Sequence, residues 1–170
     1  MEWTGKWWIF EGPEYSRLWE KSAIGGLIDG GGLALSDIEV LFSRNHRGVI
    51  FPLIPDDNAM LEWVNERLQN DPALIQEYAV LEALRVPGNK VVLHHNFSKL
   101  GIDNCDSWGI RWASDKHPSR NEPDSEVIWF SSSELLSGKS DQSRSLDSLL
   151  HWSNEVYSVS YTHLRAHETS

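Results

Sequence analysis

An apolar stripe fenced by turn residues limits how this chain can fold. Leu74, Ile75, Tyr78, Leu81 and Leu84 recur at three- and four-residue spacing between Asn70-Asp71-Pro72 and Pro87-Gly88. That spacing lines one face of a helix. Asp71 can cap its start, Pro72 falls in the first turn where a missing N–H costs little, and Pro87-Gly88 stops it. Downstream, residues 90–93, 108–112 and 126–130 are short β-prone runs separated by polar loops. The helix therefore has strands to pack on, and Tyr78, Leu81 and Leu84 are expected to face the sheet they form.

Upstream the punctuation is denser. Trp7-Trp8-Ile9-Phe10 suits a buried strand that turns at Gly12-Pro13, and Tyr15, Leu18 and Trp19 predict a helix over 14–22 that ends near Gly25-Gly26. Asp29-Gly30-Gly31-Gly32 is a turn. Ser36 and Glu39 have the spacing of a capping box, in which hydroxyl and carboxylate each satisfy an orphan backbone donor, ahead of a helix over 37–43. Residues 49–54 are β-prone, with Pro52 making them an edge strand or a break. Asp56 and Asp57 reopen helix, with Met60, Leu61, Val64 and Leu68 on one face. Residues 131–145 are rich in Ser and read as a solvated loop, and Leu146, Leu149 and Leu150 begin a final helix. No internal repeat stands out, and 170 residues accommodate two small domains split near residue 70.

Charge and cysteine content narrow the function classes. With 25 Asp and Glu against 15 Lys and Arg, the net charge of −10 argues against broad binding to phosphate backbones or anionic lipid. Any RNA contact must be local or lent by a partner. Cys105 is the single cysteine, so no intramolecular disulfide can form. No run approaches a membrane span, and Met1-Glu2-Trp3-Thr4 lacks the basic flank and apolar stretch of a signal peptide. A cytoplasmic protein with no membrane partner is expected. The end, Val159-Ser160-Tyr161-Thr162-His163-Leu164-Arg165-Ala166-His167-Glu168-Thr169, resembles one reading frame of a sequencing-library adapter. Residues 158–170 are accordingly expected to be foreign to the fold, and the natural reading frame is expected to run on past Tyr157.

Several segments, taken in order, resemble the archaeal tRNA-splicing endonuclease subunits. Glu14-Tyr15-Ser16-Arg17-Leu18-Trp19-Glu20-Lys21 before Gly25-Gly26 looks like that family's Ser-basic-Leu-aromatic helix and glycine turn. Leu33-Ala34-Leu35-Ser36-Asp37-Ile38-Glu39-Val40-Leu41 is similar to its next segment. The strongest block is Glu77-Tyr78-Ala79-Val80-Leu81-Glu82-Ala83-Leu84-Arg85, followed by Gly88 and Val91-Val92. Phe97-Ser98-Lys99-Leu100-Gly101 is a looser counterpart of a family turn, and residues 149–156 match its last helix. The resemblance implies an α+β N-terminal domain over 1–70, then a small nuclease-like α/β domain with a central mixed sheet over 71–157. It also implies metal-free intron excision from precursor tRNA, with no cofactor. A Tyr would take the ribose 2′-OH proton, a His would protonate the leaving 5′ oxygen, and a Lys would stabilise the phosphorane, leaving a 2′,3′-cyclic phosphate and a 5′-OH.

This chain departs from that pattern where the chemistry resides. The Tyr position falls on Trp112, whose indole N–H is a donor only. The His position falls on Asp124, an ordinary carboxylate and a poor acid near neutrality. His117, a few residues past Trp112, is the remaining acid candidate, against the commoner reading of a surface-loop histidine. The Lys position comes where the chain reaches Glu155-Val156-Tyr157. The reading is therefore a structural, non-catalytic unit of a tRNA-splicing endonuclease. It would work beside a catalytic copy of the same fold, fused downstream or separate, and meet precursor tRNA through the complex. Glu122, Asp124, Glu134 and Asp141 are the loop carboxylates that would dock on the partner. The alternatives are an active lyase using His117 and Tyr157 or another base, and an interaction domain that kept the fold.

Other chemistry is weaker. His94 and His95, Cys105 and His117 are an unconvincing zinc set, because adjacent strand residues point to opposite faces. No metal site is expected. Glu126-Val127-Ile128 lacks the lysine of a metal-dependent nuclease strand, and Gly30-Gly31-Gly32 lacks the Lys-Ser or Lys-Thr of a phosphate loop. Tryptophans can stack RNA bases, but Trp63 in an amphipathic helix and Trp129 in an apolar strand read as core, and Trp112 fits either role.

Overall fold

The computed structural model describes residues 1–103 and 105–129. The expectations for residues 130–170, with Glu134, Asp141 and Tyr157, lie outside them. Two small antiparallel sheets and a set of helices make up a mixed α/β fold. The first sheet has the order β1-β2-β4-β3, from β1 (Glu2–Trp3), β2 (Trp8–Phe10), β3 (Gly26–Leu27) and β4 (Leu33–Leu35). The second has the order β5-β6-β7, from β5 (Lys90–Leu93), β6 (Gly109–Trp112) and β7 (Ser125–Val127). A mixed sheet was expected there, but both ladders among the described residues are antiparallel. Neither connecting segment carries the crossover α-helix that a parallel neighbour usually needs.

Helices join the sheets. After α1 (Tyr15–Ser22) come α2 (Asp37–Arg47), α3 (Asp57–Asn70) and α4 (Leu74–Arg85). The packing runs from β4 to α2, from α2 to α4, and from α4 to β5. One buried apolar cluster accordingly extends from Trp8 to Trp129, across residue 70, and takes in Leu81, Leu84, Val91 and Leu93. Val92, Phe97, Ile110 and Trp112 form a second cluster. The alternation of strand side chains explains the split: Val91 and Leu93 point to one face of β5 and Val92 to the other. With both faces covered, all four residues of β5 are buried.

Local signals with a stereochemical cause appear as expected. Ser36 Oγ accepts from Glu39 N, and the Glu39 carboxylate accepts from Ser36 N at 2.9 Å, completing the capping box. Asp56 caps α3 by accepting from Ala59 N at 2.9 Å. Other expectations need correction. α2 runs on to Arg47 because Gly48, at φ +65°, supplies the left-handed stop that Ser43 could not. Residues 49–54 form no strand; Val49, Phe51 and Ile54 are buried from a loop closed by Ile54 N donating to Phe51 O at 3.0 Å. On α3 the buried residue is Trp63, and Leu61 is 57% exposed. Ile75 on α4 is likewise exposed. Tyr78 turns to α2 rather than the sheet, its phenol accepting from Asn45 Nδ2 and donating to Glu82 Oε1, both at 3.0 Å. β7 ends at Val127.

Candidate functional site

The expected site positions lie along the connection from β6 to β7. Trp112 ends β6 and is buried at 2% exposure, its indole N–H donating to Asn121 O at 2.9 Å. Asp124, just before β7, accepts from Ala113 N at 2.8 Å and from Lys116 Nζ, and its own N–H donates to Arg111 O at 2.9 Å. The hydrogen bond from Lys116, followed by that from Ala113 N, holds the Asp124 carboxyl below the usual carboxylate range. Asp124 is therefore an ionised acceptor bracing the loop, and nothing in its setting makes it an acid near neutrality.

His117 is a buried residue, not a surface-loop one, at 4% exposure. The loop closes around it: Asn121 Oδ1 accepts from His117 N at 2.8 Å, and His117 O accepts from Arg120 N and Asn121 N. Its Nε2–H donates to Trp19 O at 2.9 Å, while Nδ1 meets Ser119 N at 3.2 Å and Ser119 Oγ at 2.7 Å. The ring edge also rests on the Trp19 ring, centroids 5.3 Å apart. Both ring nitrogens are thus occupied, and the imidazole serves as a pin between this loop and the last turn of α1. Glu122 is exposed in the same loop.

The neighbouring cations are engaged as well. Arg111 donates to Ser125 Oγ and Asn89 Oδ1, each at 3.0 Å. Lys90 Nζ donates to Ser114 O at 2.5 Å. Burial pulls the Lys90 ammonium below its ordinary pKa, with Asp115 opposing and the charges of Arg85 and Arg120 adding to the fall. Tyr78, a phenol of the type the resemblance assigns as base, is no substitute. Burial, opposed by Asn45 and reinforced by Glu82, pushes it up to about 12.

The most enclosed polar groups are elsewhere, at the junction of the two sheets. Glu39 has no exposed surface; Oε1 accepts from Gly25 N at 2.9 Å, Oε2 accepts from Ser36, and His95 Nε2 lies 3.5 Å from Oε2. Burial drives this carboxyl up, but His95, the Ser36 N–H and the Arg85 charge together outweigh it and hold it below its usual value. Arg85, equally buried, donates to Ser22 O and Ala23 O at 2.8 Å and to Val91 O at 2.5 Å. It satisfies carbonyls at the end of α1, where Ala23 takes the left-handed conformation at φ 48°, and one in β5. Loss of solvation brings it down to about 10, with Glu39 opposing, so it remains a cation at neutrality. Gly25, at φ +74°, could not carry a side chain, since a Cβ would meet Leu35 Cδ2 at 2.6 Å and Ala34 O at 2.8 Å. The capping-box spacing pointed to Glu39; nothing local pointed to its burial or to the reach of Arg85.

Chemically, both clusters bind backbone to backbone; neither presents a free acid and base across a cleft. A broad cleft of about 530 Å3 beside residues 44–55 is lined by Arg44, which is already paired with Asp57 at 2.7 Å, and by Val49, Ile50 and Ile54. His95, Cys105 and His117 are apart in their bonding: His95 on Glu39, Cys105 Sγ 2.9 Å from Ser107 Oγ, His117 on Trp19. Among the described residues no group of three or more His, Cys, Asp or Glu is placed to hold a metal ion, and no helix is long and apolar enough to cross a membrane. No family model, curated protein or solved structure matches the chain.

Proposed function

We propose that this chain is a structural, non-catalytic unit of a tRNA-splicing endonuclease, supporting a catalytic copy of the same fold. The link to splicing rests on the resemblance of the ordered segments. The observation that carries the non-catalytic part is the loop between β6 and β7. An indole bonded to Asn121 O stands at the base position, an ion-paired carboxylate at the acid position, and the nearby imidazole has both nitrogens engaged. Transfer of the 2′-OH proton needs an acceptor with a free lone pair, and the leaving oxygen needs a donor of suitable pKa. These groups supply neither. Glu122 and Asp124 are the carboxylates in the described residues for docking on a partner, with Glu122 the freer of the two because Asp124 is held by Lys116 and Ala113.

The test adds the purified chain to a precursor tRNA with a bulge-helix-bulge intron, alone and with a catalytic subunit carrying the Tyr, His and Lys. Alone it should leave the RNA intact, with or without magnesium; with the catalytic subunit it should form a complex and raise cleavage. Cleavage by the chain alone that disappears in His117→Ala would overturn the non-catalytic assignment. A catalytic subunit that neither binds the chain nor responds to it would overturn the splicing assignment.

A further inference from the structure

Lys6, Trp7, His95 and Lys99 meet where the turn between β1 and β2 approaches a 3-10 helical turn, His94–Leu100, that follows β5. Gly5, at φ +90°, lets the first turn close, and Thr4 donates to Trp7 O through both its N–H, at 3.0 Å, and its Oγ1, at 3.1 Å. Trp7 is thereby fixed one residue before the inward-facing Trp8, with its indole half-buried at the surface. Lys6 Nζ lies 4.7 Å and Lys99 Nζ 5.5 Å from the Trp7 ring centroid, and the His95 ring is inclined 29° to it at 6.2 Å. Among the described residues neither lysine is ion-paired. In a chain of net charge −10, two ammoniums share one ring, and the carboxylate that reaches this group, Glu39 Oε2 at 3.5 Å from His95 Nε2, has no exposed surface.

We propose that this patch binds single-stranded nucleic acid, with one base against the Trp7 indole and adjacent phosphates on Lys6 and Lys99. A partly exposed indole beneath two exposed ammoniums suits a flexible strand, because a base can take the place of an ammonium over the ring while its phosphates hold the displaced charge. A duplex hides its base faces and gains only the charge. An acidic peptide likewise satisfies the ammoniums and leaves the ring without a stacking partner. The proposal is independent of the splicing assignment, since a plain oligomer is sufficient to test it.

The experiment follows fluorescence anisotropy of labelled oligouridylate and oligothymidylate titrated with the full chain at several salt concentrations. Two neutralised phosphates predict a slope of about −1.4 in log affinity against log salt, and Lys6→Gln or Lys99→Gln should each reduce it by about 0.7. Trp7→Ala should weaken binding at least about fivefold at an unchanged slope, and Trp7→Phe, which keeps a ring, should recover most of the loss. Equal affinity for both oligomers supports recognition of base and phosphate alone; preference for the ribose oligomer supports the same site with the sugar also read. Absence of binding at low salt, indifference to Trp7→Ala, a duplex bound as tightly as the single strand, or ready displacement by polyglutamate would each overturn the proposal.

Discussion

Trp7 and Trp8 are consecutive and both attended by cations, yet their electrostatic settings are opposite. Trp8 faces inward, its ring 5.0 Å from Trp3 and 5.9 Å from Trp63, with the Arg67 guanidinium 4.3 Å from the Trp3 ring and 5.7 Å from its own. Asp37 closes that cluster: Oδ1 accepts the Trp8 indole N–H at 2.6 Å and Oδ2 accepts Arg67 Nε at 2.8 Å. Trp7 faces outward with Lys6 and Lys99, and among the described residues no carboxylate pairs with either lysine. With a carboxylate, the indole–cation contact becomes a joint between β2, α2 and α3; without one, its charge is left for solvent or a ligand. A count of tryptophans or of basic residues cannot distinguish the two cases, whereas the balance of charge around each ring does.

Asp37→Ala should have the largest effect. It removes at once the acceptor of the Trp8 N–H and the partner of Arg67, whose side chain is only 14% exposed, and it takes an anion from the first turn of α2. An unpartnered donor together with a partly buried unpaired cation predicts a loss of about 3 kcal/mol, read from urea unfolding midpoints. A loss too small to measure would show that the inner cluster is as loosely held as the outer one and would remove the contrast between them.

Next in size is Glu39→Gln, which tests whether an inner carboxylate is held as an anion. The folded-state pKa of Glu39 lies below its ordinary 4.5, so the ionised form is the one the fold stabilises. That contribution is fully present above the unfolded-state value and is lost as pH falls through the lower folded-state value. The unmodified protein should therefore lose stability on acidification below about pH 4.5, while Glu39→Gln should be less stable at neutrality and flatter through that acid window. Unfolding midpoints measured across the range decide it. Equal acid slopes in the two proteins would mean that Glu39 carries no linkage.

Legibility in the sequence followed the range of the interaction. The capping box of Ser36 and Glu39, the stop after Arg85 and the strand over 90–93 depend on neighbours a few residues away, and they were readable. β3 and β4 leave no signal in the sequence because two- and three-residue strands have no period of their own; Gly26 becomes a strand residue by pairing with Ala34. Residues 49–54 differ from their β-prone pattern because such side chains also suit a buried loop, and the hydrogen bond from Ile54 N to Phe51 O replaces a ladder. At the candidate site, the identities of Trp112 and Asp124 were enough to question catalysis. The fate of His117 was not readable, because its acceptor, Trp19 O, lies 98 residues away. Arg85 likewise stood inside the strongest resemblance block without any local sign that it reaches Ser22, Ala23 and Val91.

The smallest effect is expected at the outer ring, and its smallness is informative. Lys6 is exposed and, among the described residues, its ammonium rests over the face of Trp7; Lys99 adds an aliphatic stem that packs against Gly26, where an added Cβ would meet Lys99 Cδ at 2.5 Å. Replacing either ammonium by an amide leaves no buried group without a partner, so Lys6→Gln and Lys99→Gln should each alter stability by no more than about 0.5 kcal/mol. The change at Lys99 should be the greater, because the shorter stem covers less of β3. Calorimetric midpoints close to that of the unmodified chain would mean that the two charges are dispensable to the fold, as a surface kept for a ligand requires. A loss comparable to that of Asp37→Ala would instead make the lysines part of the architecture and place Trp7 in the same class as Trp8.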